Sequence, residues 1–270
     1  MSDSPPPRSA RTLKLTVAYD GTRLVGWQRQ AAGDSVQALI EDTLARFEGG
    51  PVVVHGAGRT DAGVHALGQV ASVSVTFDHD NQTLARALNA QLPAVVRVLR
   101  VDDAAPGFHA RFDARAKTYR YLIRNAAFAS PFERAFVWHV PQPLDREAMH
   151  TAAKLFEGGH DFAAFRSLGS DSSGSIRTIR DSGVRLVAPA AAVPMLQLDV
   201  EASSSLMAYE VRGDGFLRHM VRTMVGTLVE VGRGWREPGS IVELLRSGRR
   251  EQAGATAPPQ GLFLVGVDYD

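Results

Sequence analysis

The stretch PVVVHGAGRTDAGVHALGQVASVSVTF, residues 51–77, decides the fold. A valine run at 52–54 reads as a short strand that leads into a glycine-rich loop, and Val73, Val75 and Phe77 then alternate with polar residues as in a half-buried strand. The stretch therefore predicts two strands that follow one another along the chain with a loop, not a helix, between them.

The flanking segments extend this prediction to an α+β fold. Residues 12–19 alternate as a strand does, and apolar residues recur at helical spacing over 36–47, from possible caps at 34–35 to a glycine stop at 49–50. A shorter helix ends before Pro93, and residues 95–101 return to strand. Strands that adjoin one another, with helices between others, favour an α+β fold with a largely antiparallel sheet over a doubly wound one.

The second half repeats this style. We predict strands at 117–124, around 183–187, at 195–201, at 207–212 and at 262–269, and helices at 145–156, 216–231 and from a capping box at 240–243 to Gly248. Glycine- and serine-rich residues 167–175 and alanine- and proline-rich residues 188–194 read as inserted loops. We expect a disordered tail at 1–10, an N-terminal domain at 11–109 that carries the glycine-rich loop, and a C-terminal domain at 110–270.

The glycine-rich loop holds a single acid, Asp61, two residues after Arg59. Glycines let the backbone turn tightly and let another molecule approach closely, as an active-site loop requires. A plain turn with a solvated aspartate uses the same residue types. The loop alone leaves both interpretations open.

Composition narrows the chemistry. The absence of cysteine excludes disulfides, thiolate metal sites and a cysteine nucleophile. The eight histidines do not have metal-site spacing, and the common nucleotide-binding and serine-hydrolase motifs are absent, so we expect no metal and no cofactor. Without an apolar run of membrane-spanning length, we expect a soluble, cytoplasmic protein.

A local cluster of positive charge suggests a nucleic-acid partner, although the net charge is only +1. All but three of the 30 basic residues are arginines, which suit phosphates and stacked bases, although a coding bias toward arginine is an equally good explanation for most of them. Five basic residues alternate with three aromatic ones between 111 and 124. This mixture follows a nucleic-acid backbone and offers stacking faces.

Two further residues are candidates for chemistry. Tyr119 lies on the apolar face of the strand at 117–124, where a core tyrosine is the simpler interpretation. Arg222 lies on a mostly apolar helix, where a guanidinium is costly unless a carboxylate pairs with it. The alternatives are that Arg222 extends to the surface or pairs with Glu230.

Six blocks, in order, resemble the tRNA pseudouridine synthase A family. They are GWQRQ at 26–30, AGRTDAGVHA at 57–66, FHARF at 108–112, KTYRY at 117–121, FLRHMVR at 216–222 and APPQGLFLVGVDY at 257–269. The resemblance covers the chain from about residue 11. The serine- and proline-rich tail and the two inserted loops depart from the family pattern.

The resemblance implies an enzyme that isomerises uridines 38, 39 and 40 of the tRNA anticodon stem-loop to pseudouridine without a cofactor. By similarity, Asp61 is the nucleophile, at C1′ or at C6 of the base, and Arg222 holds its charge while Tyr119 stacks on the target uracil. Arg59 would fill the space that the flipped uridine leaves. Arg111, Arg166 and Phe216 would bind substrate.

The resemblance also implies a sheet that runs through both halves with helices packed outside, a basic cleft between the halves, and a homodimer that grips tRNA.

Two competing functions remain open from the sequence. A retaining glycosidase also uses a carboxylate nucleophile, but needs a second acid at close range, which the loop lacks. A non-catalytic module that binds structured RNA would not explain a carboxylate in a loop suited to an RNA backbone.

Overall fold

The computed structural model describes residues 10–167, 174–187 and 206–270. The chain divides into two compact units. The first runs to Ala114 and includes Tyr269 and Asp270, and the second is Arg115–Asp268. The predicted domain boundary at residue 110 lies a few residues before this division.

The first unit is a small antiparallel sheet with two helices. Its elements are β1 (Arg11–Tyr19), α1 (Val36–Glu48), β2 (His55–Gly56), β3 (His65–Val75), α2 (Asn81–Gln91) and β4 (Val96–Ala104). Strand β1 lies between β3 and β4, with Leu15 opposite Ala71 on one side and Val101 on the other. Strand β2 pairs with β3. The loop 57–64 therefore joins two paired strands.

Local sequence explains these elements. Leu13, Leu15 and Val17 are fully buried, and the residues between them are half-buried, as the two-residue period of a strand requires. Helix α1 begins after Ser35, whose side chain accepts a hydrogen bond from the N–H of Ala38. The helix ends at Gly49, which adopts a left-handed conformation with φ 76°.

The second unit is a larger sheet with three helices among the described residues. Its elements are β5 (Ala116–Arg124), β6 (Trp138–His139), α3 (Arg146–Lys154), β7 (Gly158–Asp161), β8 (Ile176–Leu186), β9 (Leu206–Gly213), α4 (Met220–Gly232), α5 (Ser240–Ser247) and β10 (Leu262–Asp268). The strand order is β10, β5, β9, β8, β7, all antiparallel. Strand β6 pairs with β5 in parallel.

A buried ion pair and a close helix contact tie this unit together. The guanidinium of Arg124 donates to both carboxylate oxygens of Glu133, at 2.8 and 2.7 Å, with both side chains buried. This two-pronged geometry offsets the desolvation of both charges. On α4, a Cβ at Gly226 would lie 1.7 Å from the carbonyl oxygen of Ala255, so only glycine lets that segment cross the helix.

The structure confirms the α+β class and the largely antiparallel pairing. Three local predictions were wrong. The strand expected at 52–54 is β2 at His55–Gly56, and the helix expected from 216 begins at Met220. Helix α5 has Gly239 at its N-cap, and the Ser240 hydroxyl donates to the Glu237 carbonyl, so Ser240 does not form the capping box. The predicted strand at 195–201 lies outside the described residues.

None of the described helices is long and apolar enough to cross a membrane.

Candidate active site

The loop 57–64, between β2 and β3, carries Asp61 and is fixed by main-chain hydrogen bonds. The N–H of Ala57 donates to the carbonyl of Val70 at 2.7 Å, and the N–H of Trp27 donates to the carbonyl of Thr60 at 3.0 Å. The first contact attaches the start of the loop to β3. The second attaches Thr60, the residue before Asp61, to Trp27. A glycine-rich loop is thereby held in one conformation.

Side chains reinforce the same loop. Nε2 of Gln69 donates to the carbonyl of Gly58 at 2.8 Å. The hydroxyls of Tyr19 and Thr60 lie 2.9 Å apart and are buried. Burial raises the pKa of Tyr19 to about 12, so the tyrosine is neutral and serves as a hydrogen-bonding group.

Close backbone approach explains why glycine stands at two positions beside the loop. Gly26 has φ 107°, and a Cβ there would lie 2.6 Å from the carbonyl oxygen of Thr60. A Cβ at Gly21 would lie 2.0 Å from the carbonyl oxygen of Val64. A side chain at either position would displace the loop.

Within this frame Asp61 is partly buried and Arg59 is exposed. The carbonyl of Asp61 accepts from the N–H of Val64 at 3.2 Å, which closes a turn around the acid. The loop backbone is thus fixed on both sides of a carboxylate that is not fully enclosed. A reactive group needs this combination of order and access.

Arg111 lies in the same unit, in a turn that follows β4. Its guanidinium carbon is 5.7 Å from the ring centroid of Phe112, and both residues are exposed. A cation and an aromatic face are therefore presented together.

In the second unit, Tyr119 and Phe216 are brought together. The Tyr119 ring is buried on β5, and the Phe216 ring meets it edge-on, with centroids 5.0 Å apart and planes at 79°. Such an edge-to-face contact is the favoured aromatic geometry. It fixes the plane of the tyrosine ring.

Arg222 lies in the first turn of α4 and is joined to residue 257 twice. Its Nε donates to the carbonyl of Ala257 at 2.7 Å, and its own carbonyl accepts from the N–H of Ala257 at 3.0 Å. Glu230, the alternative partner considered from the sequence, is held by Arg236 at 2.8 Å.

Helix α4 begins at a strained residue. His219, its N-cap, has φ 64°, and it is the one non-glycine residue with positive φ among the described residues. Such a conformation costs about 1–3 kcal/mol, and strain of this kind clusters at functional sites. Its position three residues before Arg222 fits a start of α4 that is shaped for function.

Arg166 lines a cavity of about 340 Å³ in the second unit. Other lining residues include Ser167, Arg249, Arg250 and Glu251, which leaves an excess of positive charge. Arg250 donates to the carbonyl of Gly254 at 3.1 Å and is thereby fixed. The buried hydroxyl of Ser167 has no hydrogen-bond partner among the described residues. The cavity thus offers cations and a donor suited to an anion.

Sequence reasoning missed the residues that hold the loop. Tyr19 reads as an ordinary strand residue, Gln69 lies before the strand predicted at 73–77, and Trp27 belongs to the GWQRQ block without a role of its own. A polar residue next to a candidate catalytic acid, such as Thr60, is the signal that could have prompted a search for its partner.

A family model described as tRNA pseudouridine synthase matches residues 15–113 and 152–270. The chain is 43% identical to tRNA pseudouridine synthase A of Pelobacter propionicus over 259 residues, which is 96% of this chain and 100% of that protein. Similar proteins of the same name in Acetivibrio thermocellus and Solibacter usitatus are each 41% identical, over 96% of this chain and 100% of theirs.

Proposed function

The chain belongs to the tRNA pseudouridine synthase family and is an isomerase that acts on tRNA, and from that premise we propose that it modifies uridines 38, 39 and 40 of the anticodon stem-loop with Asp61 as nucleophile. One observation carries the assignment of Asp61. The backbone is bonded on both sides of it, at Thr60 and Val64, while its side chain is only partly buried. A nucleophile needs such a fixed backbone, because its reactive group must be held in position and still be reached by the substrate.

The proposed reaction balances without a redox step. The carboxylate of Asp61 forms a bond to C1′ of the uridine or to C6 of its base, and the N1–C1′ bond breaks. The uracil turns, C5 bonds to C1′, the carboxylate is released and the proton on C5 leaves. N1 gains a proton in exchange for the one that C5 loses, so substrate and product have the same atoms and the chemistry requires no cofactor.

We propose that Arg222 and Tyr119 serve this step. A guanidinium favours the ionised state of a nearby carboxylate and fixes its orientation. The double attachment of Arg222 to Ala257 would hold the guanidinium stem for that role. Tyr119, oriented by the edge of Phe216, would stack on the uracil and help remove the C5 proton.

The remaining arginines are proposed to hold RNA. Arg59, exposed beside Asp61, would fill the gap that the extruded uridine leaves in the stem-loop. Arg166 and its cavity neighbours would bind a backbone phosphate, since the cavity combines guanidinium groups with a Ser167 hydroxyl that no described residue bonds. Binding should weaken as salt rises.

Membership of the family excludes the two competing functions that the sequence left open. A non-catalytic RNA-binding module does not agree with it, and neither does a glycosidase, which hydrolyses its substrate.

We further propose a homodimer that works in the cytoplasm. Phe128 and Phe132, four residues apart in the sequence of the second unit, are exposed apolar side chains that a second copy could cover. Light scattering of the full chain tests the dimer: a mass of twice 29.1 kDa supports it, and a monomer at working concentration contradicts it.

The substrate assignment is tested with tRNA transcripts that carry uridine at only one of positions 38, 39 and 40. Carbodiimide labelling maps the pseudouridine after incubation with the protein. We expect modification at each of these positions and none when all three are cytidine. Pseudouridine found only outside the anticodon stem-loop would contradict the assignment.

A further inference from the structure

We propose that His55, His109 and Phe112 form a stacking platform for one unpaired nucleobase of the RNA. The proposal rests on the proposed function for its RNA partner, and it adds a contact that the catalytic assignment does not require. All three residues lie in the first unit, which also carries Asp61.

The three rings contact one another in a row. The centroids of His55 and His109 are 4.8 Å apart with an interplanar angle of 31°, and those of His109 and Phe112 are 4.3 Å apart at 35°. Neighbouring rings are tilted, and they meet closer to face-to-face than to edge-on. Phe112 lies at the end of the row and is 74% exposed, so it offers an aromatic surface to solvent.

The platform is rigid. Nδ1 of His109 accepts from the N–H of Arg111 at 3.1 Å, and the N–H of His109 donates to the carboxylate of Asp113 at 2.8 Å. The N–H of Ala110 donates to the Ser72 hydroxyl at 3.0 Å, which anchors the turn to β3. A ring already fixed in place loses little conformational entropy when a ligand stacks on it.

The chemistry favours a nucleobase over a protein surface. Arg111 lies 5.7 Å from the Phe112 ring, so a cation for the phosphate accompanies the aromatic face. Base–aromatic stacking with arginine nearby is the usual way to hold unpaired nucleotides. A stable protein partner would require a broad buried patch, whereas the platform presents a single ring bordered by imidazole and guanidinium groups.

The platform and the catalytic loop share one hairpin. His55 begins β2, the strand that leads into the loop 57–64, and it lies opposite Ser72 of β3. Ser72 also anchors the turn that carries His109 and Phe112. A base stacked on Phe112 would therefore belong to the same RNA element as the target uridine.

Affinity for tRNA tests the platform, with Leu99→Ala as control because Leu99 is an exposed apolar side chain of the same unit, at 57%, on β4. We expect Phe112→Ala to weaken tRNA binding by about 5- to 150-fold, as expected for the loss of one stacked base. Phe112→Trp should keep the affinity, since it keeps an aromatic face. Leu99→Ala should leave it within about twofold, and circular dichroism should show all variants folded.

Abasic substitution then identifies the base. tRNA transcripts with single abasic nucleotides in the anticodon stem-loop are titrated against the parent protein and Phe112→Ala. At one position the abasic RNA should bind both proteins equally, because stacking is already lost. Full affinity of Phe112→Ala, or the absence of such a position, would overturn the proposal. Both titrations measure binding, so failure of Asp61 as nucleophile would leave their outcome unchanged and show only in turnover.

Discussion

The hydroxyl of Tyr19 lies 2.9 Å from Oγ1 of Thr60, the residue directly before Asp61. Tyr19 ends β1, the central strand of the first unit, so this buried bond joins the core of the sheet to the loop that carries the acid. The Thr60 carbonyl is held as well, by the N–H of Trp27. The position of Asp61 thus depends on residues that would not touch the substrate.

Tyr19→Phe should therefore slow the chemical step and leave tRNA affinity within about twofold. The substitution leaves the buried Thr60 hydroxyl without this partner, which costs about 1–3 kcal/mol and loosens the loop. A single-turnover rate reduced about tenfold is expected, since small displacements of a reacting group are costly. Thr60→Val should lower the rate similarly, and the double variant should be little worse than either. Full additivity, or unchanged rates, would contradict a positioning role.

The same tyrosine should make stability depend on alkaline pH. Burial raises its pKa to about 12 in the folded chain, against about 10 when unfolded, so the folded state holds the proton more tightly. The stabilisation is complete below pH 10 and is lost as pH rises through 12. Urea unfolding should show the stability difference between the parent and Tyr19→Phe shrinking by about 1 kcal/mol from pH 9 to pH 11. A difference that does not change with pH would mean that Tyr19 ionises normally.

Tyr119→Phe separates stacking from proton transfer. The substituted ring keeps its edge contact with Phe216 and its aromatic face, so tRNA affinity should stay within about twofold. Loss of the hydroxyl should reduce the single-turnover rate by on the order of 100-fold, the low end for general acid–base catalysis. An undiminished rate would limit Tyr119 to stacking.

Arg222→Ala should damage both rate and stability. The variant loses the Nε hydrogen bond to Ala257, which should lower the free energy of unfolding by about 1–3 kcal/mol. If Arg222 also stabilises the Asp61 anion, the rate should fall by about 100-fold or more. Arg246→Ala, at an exposed position of α5, serves as the control and should change stability by less than about 0.5 kcal/mol. A variant that is as stable and as active as the parent would contradict both roles of Arg222.

The sequence predicted those parts of the fold that local patterns determine. The predictions of strand β1 and of helix α1 were correct, because the alternation of buried residues and the helix caps are determined by residues close in sequence. The valine run at 52–54 was misread as a strand because apolar composition does not say which residues join a ladder. Ladder pairing begins at His55, where Ser72 lies opposite.

Contacts distant in sequence could not be predicted from residue patterns. The buried Arg124–Glu133 pair depends on how the segment after β5 folds back, and Arg124 reads from the sequence as one more basic residue of the cluster. The contact of His55 with His109 depends on strand register, which composition does not fix. Motifs in the sequence identified the candidate reactive residues, whereas the residues that hold them in place could be identified only from the structure.

The most direct test of the account is the single-turnover rate of pseudouridine formation by Asp61→Asn on an anticodon stem-loop substrate, alongside tRNA affinity. The control is Asp34→Asn, at an exposed aspartate of the same unit. We expect no detectable pseudouridine with Asp61→Asn and a tRNA affinity within about threefold of the parent, because the amide keeps the shape of the side chain without its nucleophilic charge. The control should keep full activity. Pseudouridine formed by Asp61→Asn at the parent rate would contradict the account.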